Sequence, residues 1–212
     1  MVTLSEENYL KAIYHLAKPD KASVSTNAIA TKMLTKASSA TDMIKKLAEK
    51  GLVDYQKYQG VHLTEKGRFA AVSVIRKHRL WEVFLVKKLN FSWDEVHEVA
   101  EQLEHIKSEK LTQQLDEFLE FPTKDPHGEP IPDGDGNMPS TQKVILEKIE
   151  INKSCLCIGV KDSTAEFLRY LDKHHIALGT KITVVSKDSF DESMTRNIND
   201  THLESKKKVT NN

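Results

Sequence analysis

The chain has 212 residues, of which 39% are hydrophobic and 29% charged, and its 31 basic and 31 acidic side chains cancel. That is the composition of an ordinary globular protein with room for one large domain or two to three small ones. Residues 1–5 lead straight into an amphipathic helix, and no apolar run is long enough to cross a bilayer. We therefore expect a cytoplasmic protein with no membrane partner, not a secreted or membrane-spanning one.

The zero sum hides a polarity. Residues 1–88 hold 16 Lys/Arg against 8 Asp/Glu, residues 89–139 hold 3 against 13, and residues 140–212 hold 12 against 10. A basic head before an acidic middle suggests a polyanion bound at the front and cations handled behind it.

The head opens with Ser5 as an N-cap, Glu6 and Glu7 in the first turn, and an apolar stripe through Tyr9, Leu10, Ile13, Tyr14 and Leu16. Pro19-Asp20-Lys21 breaks this helix. A second helix fits residues 26–34, and a third fits 38–50, ended by Gly51. Ser38, Ser39 and Thr41 begin the third helix, which suits close approach of its backbone to DNA, and Lys36, Lys45 and Lys46 suit phosphate contacts. Residues 52–58 and 61–64 read as two strands around Gln59-Gly60. Three helices and a β-hairpin make a winged helix-turn-helix that binds double-stranded DNA.

A long apolar helix continues from Thr64 to about Leu85, with His78 and Glu82 on one face at i and i+4. Next, His97, Glu101, Glu104 and His105 fall within one helical arc, while Val96, Val99, Ala100, Leu103 and Ile106 take neighbouring directions. Read alone, such a run is a solvated charged face. Beside a buried seam, four imidazole and carboxylate groups call for neutralisation, and a divalent ion such as Mn²⁺, Fe²⁺, Co²⁺ or Zn²⁺ suits nitrogen and oxygen donors. His78 and Glu82 then read as further donors of the same site. A helix over about 108–119 completes an apolar pair suited to a homodimer interface.

Five of the six prolines lie in residues 122–139, which read as a boundary or tether. Beyond it, residues 154–160 and 181–185 favour strands, with a short helix over 163–171 between them. Cys155 and Cys157 lie on one strand face as buried thiols in a reducing compartment. Beyond Asp188 the sequence is polar, and Lys206 to Asn212 reads as a frayed end.

Three segments carry a specific likeness: residues 76–82, Val96-His97-x₃-Glu101-x₂-Glu104-His105, and Asp125-Pro126-His127-Gly128-x-Pro130-Ile131-Pro132. Over residues 3 to about 186 the chain resembles the diphtheria toxin repressor family, which includes iron- and manganese-dependent regulators. The resemblance implies a mainly α protein with an N-terminal winged helix-turn-helix, a helical metal-binding and dimerisation domain, and a small C-terminal SH3-like β domain. The ranges expected are 1–72, 73–121, a linker over 122–140, and 141–212 with a polar tail.

The resemblance further implies a primary metal site of Asn8, Glu101, Glu104 and His105. A second site would use His78, Glu82 and His97, joined by Glu166; on its own, Glu166 reads equally as a solvated glutamate. Asn8 and Glu101 stand where iron-type members carry Met and Cys, which favours Mn²⁺ with Fe²⁺ second. Metal would link the first helix, through Asn8, to Glu101, Glu104 and His105, and promote binding of a palindromic operator controlling metal-uptake genes. The alternative is a winged-helix regulator responding to a small organic ligand or to none, with the His/Glu cluster structural. Catalysis is not expected, because Glu101 spoils H-E-x-x-H and no paired Glu-x-x-His motif is present in this region.

Overall fold

Thr3, not Ser5, starts the first helix. Glu6 N donates to the Thr3 hydroxyl at 3.4 Å, and Thr3 N donates to the Glu6 carboxylate at 2.9 Å. This reciprocal cap begins α1 (Leu4–Leu16) earlier than Ser5 would. The computed structural model describes residues 2–17, 23–56, 59–140, 142–198 and 201–212. The helix break at Pro19-Asp20-Lys21 and the Lys57-Tyr58 end of the first wing strand lie outside the described residues.

Ser25 caps α2 (Thr26–Lys32), and after a turn α3 (Ala37–Glu49) runs to Gly51, whose φ of +65° suits a residue without a Cβ. The wing follows as β1 (Val53–Gln56) antiparallel to β2 (Gly60–Leu63), with Val53 opposite Leu63. Leu10, Ile13, Ile29, Ile44, Leu47, Leu52 and Val61, all essentially inaccessible, close the core beneath these elements. Each such side chain contributes about 1.5–3 kcal/mol of burial free energy.

Thr64 caps α4 (Glu65–Leu89), whose 25 residues make a rod about 38 Å long. Its first turn belongs to the head, and its later turns carry α5 (Val96–Leu103) and α6 (Glu109–Phe118). Leu80, Val83, Leu115, Leu119 and Ile131 form one core there, and Leu85, Val96 and Ala100 another. Because α5 stops at Leu103, Glu104 is its C-cap and His105 lies in the turn beyond. The row of four donors therefore does not continue on a single helical face. The proline-rich segment over 122–140 is non-helical and strapped to α4. Arg76 donates to the Pro132 carbonyl at 2.6 Å and Arg79 to that of Pro130, while an antiparallel bridge between Lys124 and Pro130 folds the segment back on itself.

The C-terminal part is a four-stranded antiparallel sheet in the order β3 (Ser154–Leu156), β4 (Lys181–Lys187), β5 (Met194–Ile198), β6 (Thr201–Ser205), with α7 (Ala165–Lys173) against it and α8 (Lys207–Thr210) at the end. The expected strand over 154–160 pairs for three residues only. The end from Lys206 is not frayed, since α8 forms there and buries Thr210, and the polar stretch beyond Asp188 holds strand β5, which alternates buried Met194, Arg196 and Ile198 with half-buried Thr195 and Asn197. A charged residue at the central inward position hid that alternation. Among the described residues no helix is long and apolar enough to cross a membrane.

Gly67 lies where a Cβ would overlap the Leu52 carbonyl, fixing how closely α4 passes the wing. An alanine inside a helix usually gains about 1 kcal/mol over glycine. Here Gly67→Ala is expected to destabilise instead. Urea denaturation reads the sign, and a gain in stability would show that the Leu52 backbone yields freely.

Candidate metal centre

Glu82 is 2% exposed on α4, and its two oxygens face different partners. Oε1 lies 3.0 Å from His78 Nε2 and 3.5 Å from His97 Nδ1, and Oε2 lies 3.6 Å from His127 Nδ1. His78 stands one turn before Glu82, His97 projects from α5, and His127 comes from the strapped segment. Two overlapping groups result, His78 with Glu82 and His97, and Glu82 with Asp125 and His127. Within each group the nearest donor atoms all lie within 4.8 Å of one another. Glu82 belongs to both.

The outer contacts orient these donors. His127 Nε2 pairs with the Trp93 carbonyl at 2.8 Å, a bond only an N–H can make, so Nδ1 is the nitrogen turned to Glu82. His78 Nδ1 lies 2.6 Å from Glu104 Oε2, which turns Nε2 towards Glu82 and His97. Asp125 Oδ1 accepts from the backbone N–H groups of His127 and Glu129 at 2.8 and 2.9 Å.

The charges follow the geometry. Burial pushes the Glu82 carboxyl up, but hydrogen bonds with His127, His78 and His97 hold it well below the usual carboxylate range. Burial lowers His78, and its bonds to Glu104 and Glu82 reverse this and raise it to about 9. Asp125 is raised to about 6 by burial and by the Glu82 charge. Glu82 therefore ionises first and opposes ionisation of Asp125, an effect that Arg79 Nε, 3.6 Å from Asp125, partly offsets.

The site residues expected from sequence divide. His78, Glu82 and His97 come together. Of Asn8, Glu101, Glu104 and His105, Glu104 lies 3.5 Å from His105 Nε2 and shares Lys11 with Glu101, so the last three gather beside an ammonium and not as an open set of four donors. Asn8 and Glu101 line a cavity of about 700 Å³ shared with His78, Glu82, His97, Asp125 and His127. Glu104 is fully buried between His78 and Lys11, whose ammonium lies 2.6 Å from it and 3.5 Å from Glu101. His105 Nδ1 is 2.6 Å from Glu7 on α1. A lysine occupies the place where metal was expected to join α1 to Glu101 and Glu104. Glu166 is exposed on α7 and does not line the cavity.

Sequence reasoning missed Asp125 and His127 as donors, although the Asp-Pro-His-Gly run that holds them was in view. It also missed the pairing of Glu7 with His105 and of Lys11 with Glu104, partners almost a hundred residues apart. On the head, Lys36, Ser38, Ser39, Lys45 and Lys46 are exposed along α3. Half-buried Thr41 donates its hydroxyl to the Ala37 carbonyl at 2.8 Å, so that hydrogen is already used.

Comparison with known proteins agrees with this architecture. Residues 1–61 match the profile of the iron dependent repressor N-terminal DNA binding domain, residues 64–133 that of the iron dependent repressor metal binding and dimerisation domain, and residues 144–207 the FeoA domain. A manganese-dependent transcriptional repressor solved in complex with manganese superposes with a TM-score of 0.88 at 34% identity, over 97% of this chain and 96% of that one. The iron-dependent repressor IdeR of Mycobacterium tuberculosis is 35% identical over 126 residues, which are 59% of this chain and 54% of that protein. A probable metal transport system membrane protein of Chlamydia trachomatis is 43% identical over 86 residues, 41% of this chain and 19% of that protein. The chain thus spans about half the length, or less, of these curated relatives. A winged-helix head, a helical layer bearing clustered histidines and carboxylates, and a small antiparallel sheet define one class of protein. The chain belongs to the iron-dependent repressor family, that of IdeR and the diphtheria toxin repressor.

In the metal-free protein His78 is a strong stabilising group, because its folded pKa of about 9 exceeds the unfolded value near 6.5. Its contribution, on the order of 3 kcal/mol, is complete below about pH 6.5 and is lost as pH rises through 9. Urea midpoints in chelator are expected to fall over that window, and His78→Gln should flatten the fall. An equal slope in the variant would assign it to another group.

Proposed function

We propose that this chain is a metal-dependent transcriptional repressor that binds a palindromic operator as a homodimer and controls metal-uptake genes, with Mn²⁺ the favoured effector and Fe²⁺ second. The observation that carries this reading is the bridging position of Glu82, one carboxylate shared by two histidine-bearing clusters. Both clusters offer only imidazole nitrogen and carboxylate oxygen, a donor set that suits these ions and lacks thiolate. His78, Glu82 and His97 would hold one ion and Glu82, Asp125 and His127 another, with Asn8 and Glu101 at the rim. A bound divalent cation would supply positive charge at Glu82 and Asp125 in place of the protons on the facing imidazoles.

The chain's own contacts connect this centre to the head. His78 holds Glu104, Glu104 holds Lys11, and Lys11 lies on α1 beside Leu10, which is fully buried in the head core. Glu7 with His105, and the Lys107 ammonium on the Val2 carbonyl at 2.6 Å, dock the same helix. Fixing the His78 ring therefore fixes the seat of α1, and with it the attitude of α3. Linkage requires metal and operator to raise each other's affinity by one factor, about 5- to 150-fold for 1–3 kcal/mol of coupling.

The working division is a DNA-binding head over 1–72, a metal-binding and dimerising layer over 73–121, and a sheet domain over 141–212. Ser38 and Ser39 face base edges or the nearby backbone, and Lys36, Lys45 and Lys46 face phosphates. Phe118 and Phe121, 58% and 65% exposed at the end of α6, supply apolar surface for a second copy.

Fluorescence anisotropy of a palindromic operator from the gene's neighbourhood, in chelator, Mn²⁺ and Fe²⁺ at fixed salt, tests the reading. Tight binding only with metal is expected, and equal binding in chelator would overturn it. Glu82→Ala should abolish the metal response, whereas Lys11→Met should keep metal binding and weaken its effect on DNA affinity. An unaltered response in both would break the proposed route. Lys46→Ala should lower the slope of log affinity against log salt by about 0.9 across all DNA sequences, the loss of one phosphate contact.

A further inference from the structure

Arg196 sits on the inward face of β5, 1% exposed, between Met194 and Ile198. Among the described residues it pairs with no carboxylate. Its neighbours are the Ser205 hydroxyl, which accepts from its Nη2, the Tyr170 phenol, and the Cys155 thiol, whose pKa burial pushes up. Its Nε is the single buried side-chain nitrogen or oxygen among the described residues with no hydrogen-bond partner. Burying a guanidinium without a counter-charge is costly, and a protein that keeps one usually has an anion for it.

The space for such an anion is present. Arg196 lines a cavity of about 450 Å³ between the sheet, α7 and the segment before β3. Its other walls are chiefly apolar, with Ile145, Leu146, Phe167, Leu171 and Ile182 prominent. The volume lies within the range of small-molecule sites, and one charged group on an apolar wall is how such sites fix an amphiphile's orientation. Lys143 and Lys161 also line the cavity, but Lys143 is already held by the Gly128 carbonyl and Glu129, and the one guanidinium set among the apolar side chains matches one carboxylate.

We propose that the C-terminal domain binds a small monocarboxylate with an apolar body, its carboxylate on Arg196 and its body against Leu171, Ile182 and their neighbours. Glu129, Val160 and Lys161 line both this cavity and the one that holds the clustered histidines and carboxylates. An occupant here therefore touches the wall of the metal centre, although the site itself stands independently of the metal reading.

The test uses the full chain in chelator, with octanoate, octan-1-ol and acetate as probes, followed by the methyl resonances of Leu171 and Ile182 and by calorimetry. Octanoate should bind saturably and about tenfold or more tightly than octan-1-ol, the margin of one charge-assisted contact. Acetate, lacking the body, should bind more weakly still. Arg196→Met should erase the preference for octanoate over octan-1-ol while the alcohol still binds. If that variant does not fold, Leu171→Trp, which fills the cavity, should abolish octanoate binding in a folded protein. Equal binding of octanoate and octan-1-ol to the unaltered chain would overturn the proposal, as would acetate matching octanoate, or no saturation by octanoate.

Discussion

A carboxylate removed from water has to be matched by positive charge close at hand, and Glu82 is matched by three imidazoles drawn from three separate segments. His78 comes from its own helix, His97 from α5 and His127 from the strap over α4. The second nitrogen of His78 and of His127 is held by a further partner, Glu104 in one case and the Trp93 carbonyl in the other. Those partners fix which nitrogen faces the centre. Asp125, packed beside Glu82, has its pKa raised by burial and by the Glu82 charge. Arg79 on Asp125, Lys11 on Glu104 and the protons on the imidazoles share the balance, so a cation binding here would compete with those protons for the same lone pairs.

Glu104 extends this constraint towards the head. Fully buried, it accepts from His78 on one oxygen and from Lys11 on the other, so the polar centre and α1 are joined through one side chain. The lysine also changes how the site works. With an ammonium already lying against Glu104 and near Glu101, the link between α1 and the helical layer is made by the protein's own cation. In the proposed function metal would act one step away, on the orientation of His78, with α4 as the member along which both ends are built.

The C-terminal sheet follows a different logic. Its core is apolar but for Arg196 and the small hydroxyls of Ser193, Ser205 and Thr210; neutral partners leave the Arg196 charge uncompensated, and the cavity next to it shares residues with the one that holds the clustered histidines. Gly128 sets that junction. At φ +81°, it packs so closely on the Ile158 and Gly159 backbone that a Cβ would overlap them. The strap, the sheet domain and the donors His127 and Asp125 are therefore positioned together.

Local chemistry by itself determined much of this protein. Helix caps, the glycine at the end of α3 and the period of Leu, Ile and Val set the winged-helix head and the helical layer, because those signals act within a few residues. The spacing of His78 and Glu82 likewise put both on one helical face. Only the tertiary structure decided which donors meet. Helical periodicity grouped His97, Glu101, Glu104 and His105, yet α5 ends at Leu103, and burial then sent Glu104 to Lys11 and His105 to Glu7. Asp125 and His127 joined Glu82 because Arg76 and Arg79 strap their segment to α4, a contact across some fifty residues that no local pattern encodes. Arg196 concealed β5 for the same reason: whether a charge can stand on an inward face depends on what the rest of the fold places opposite it.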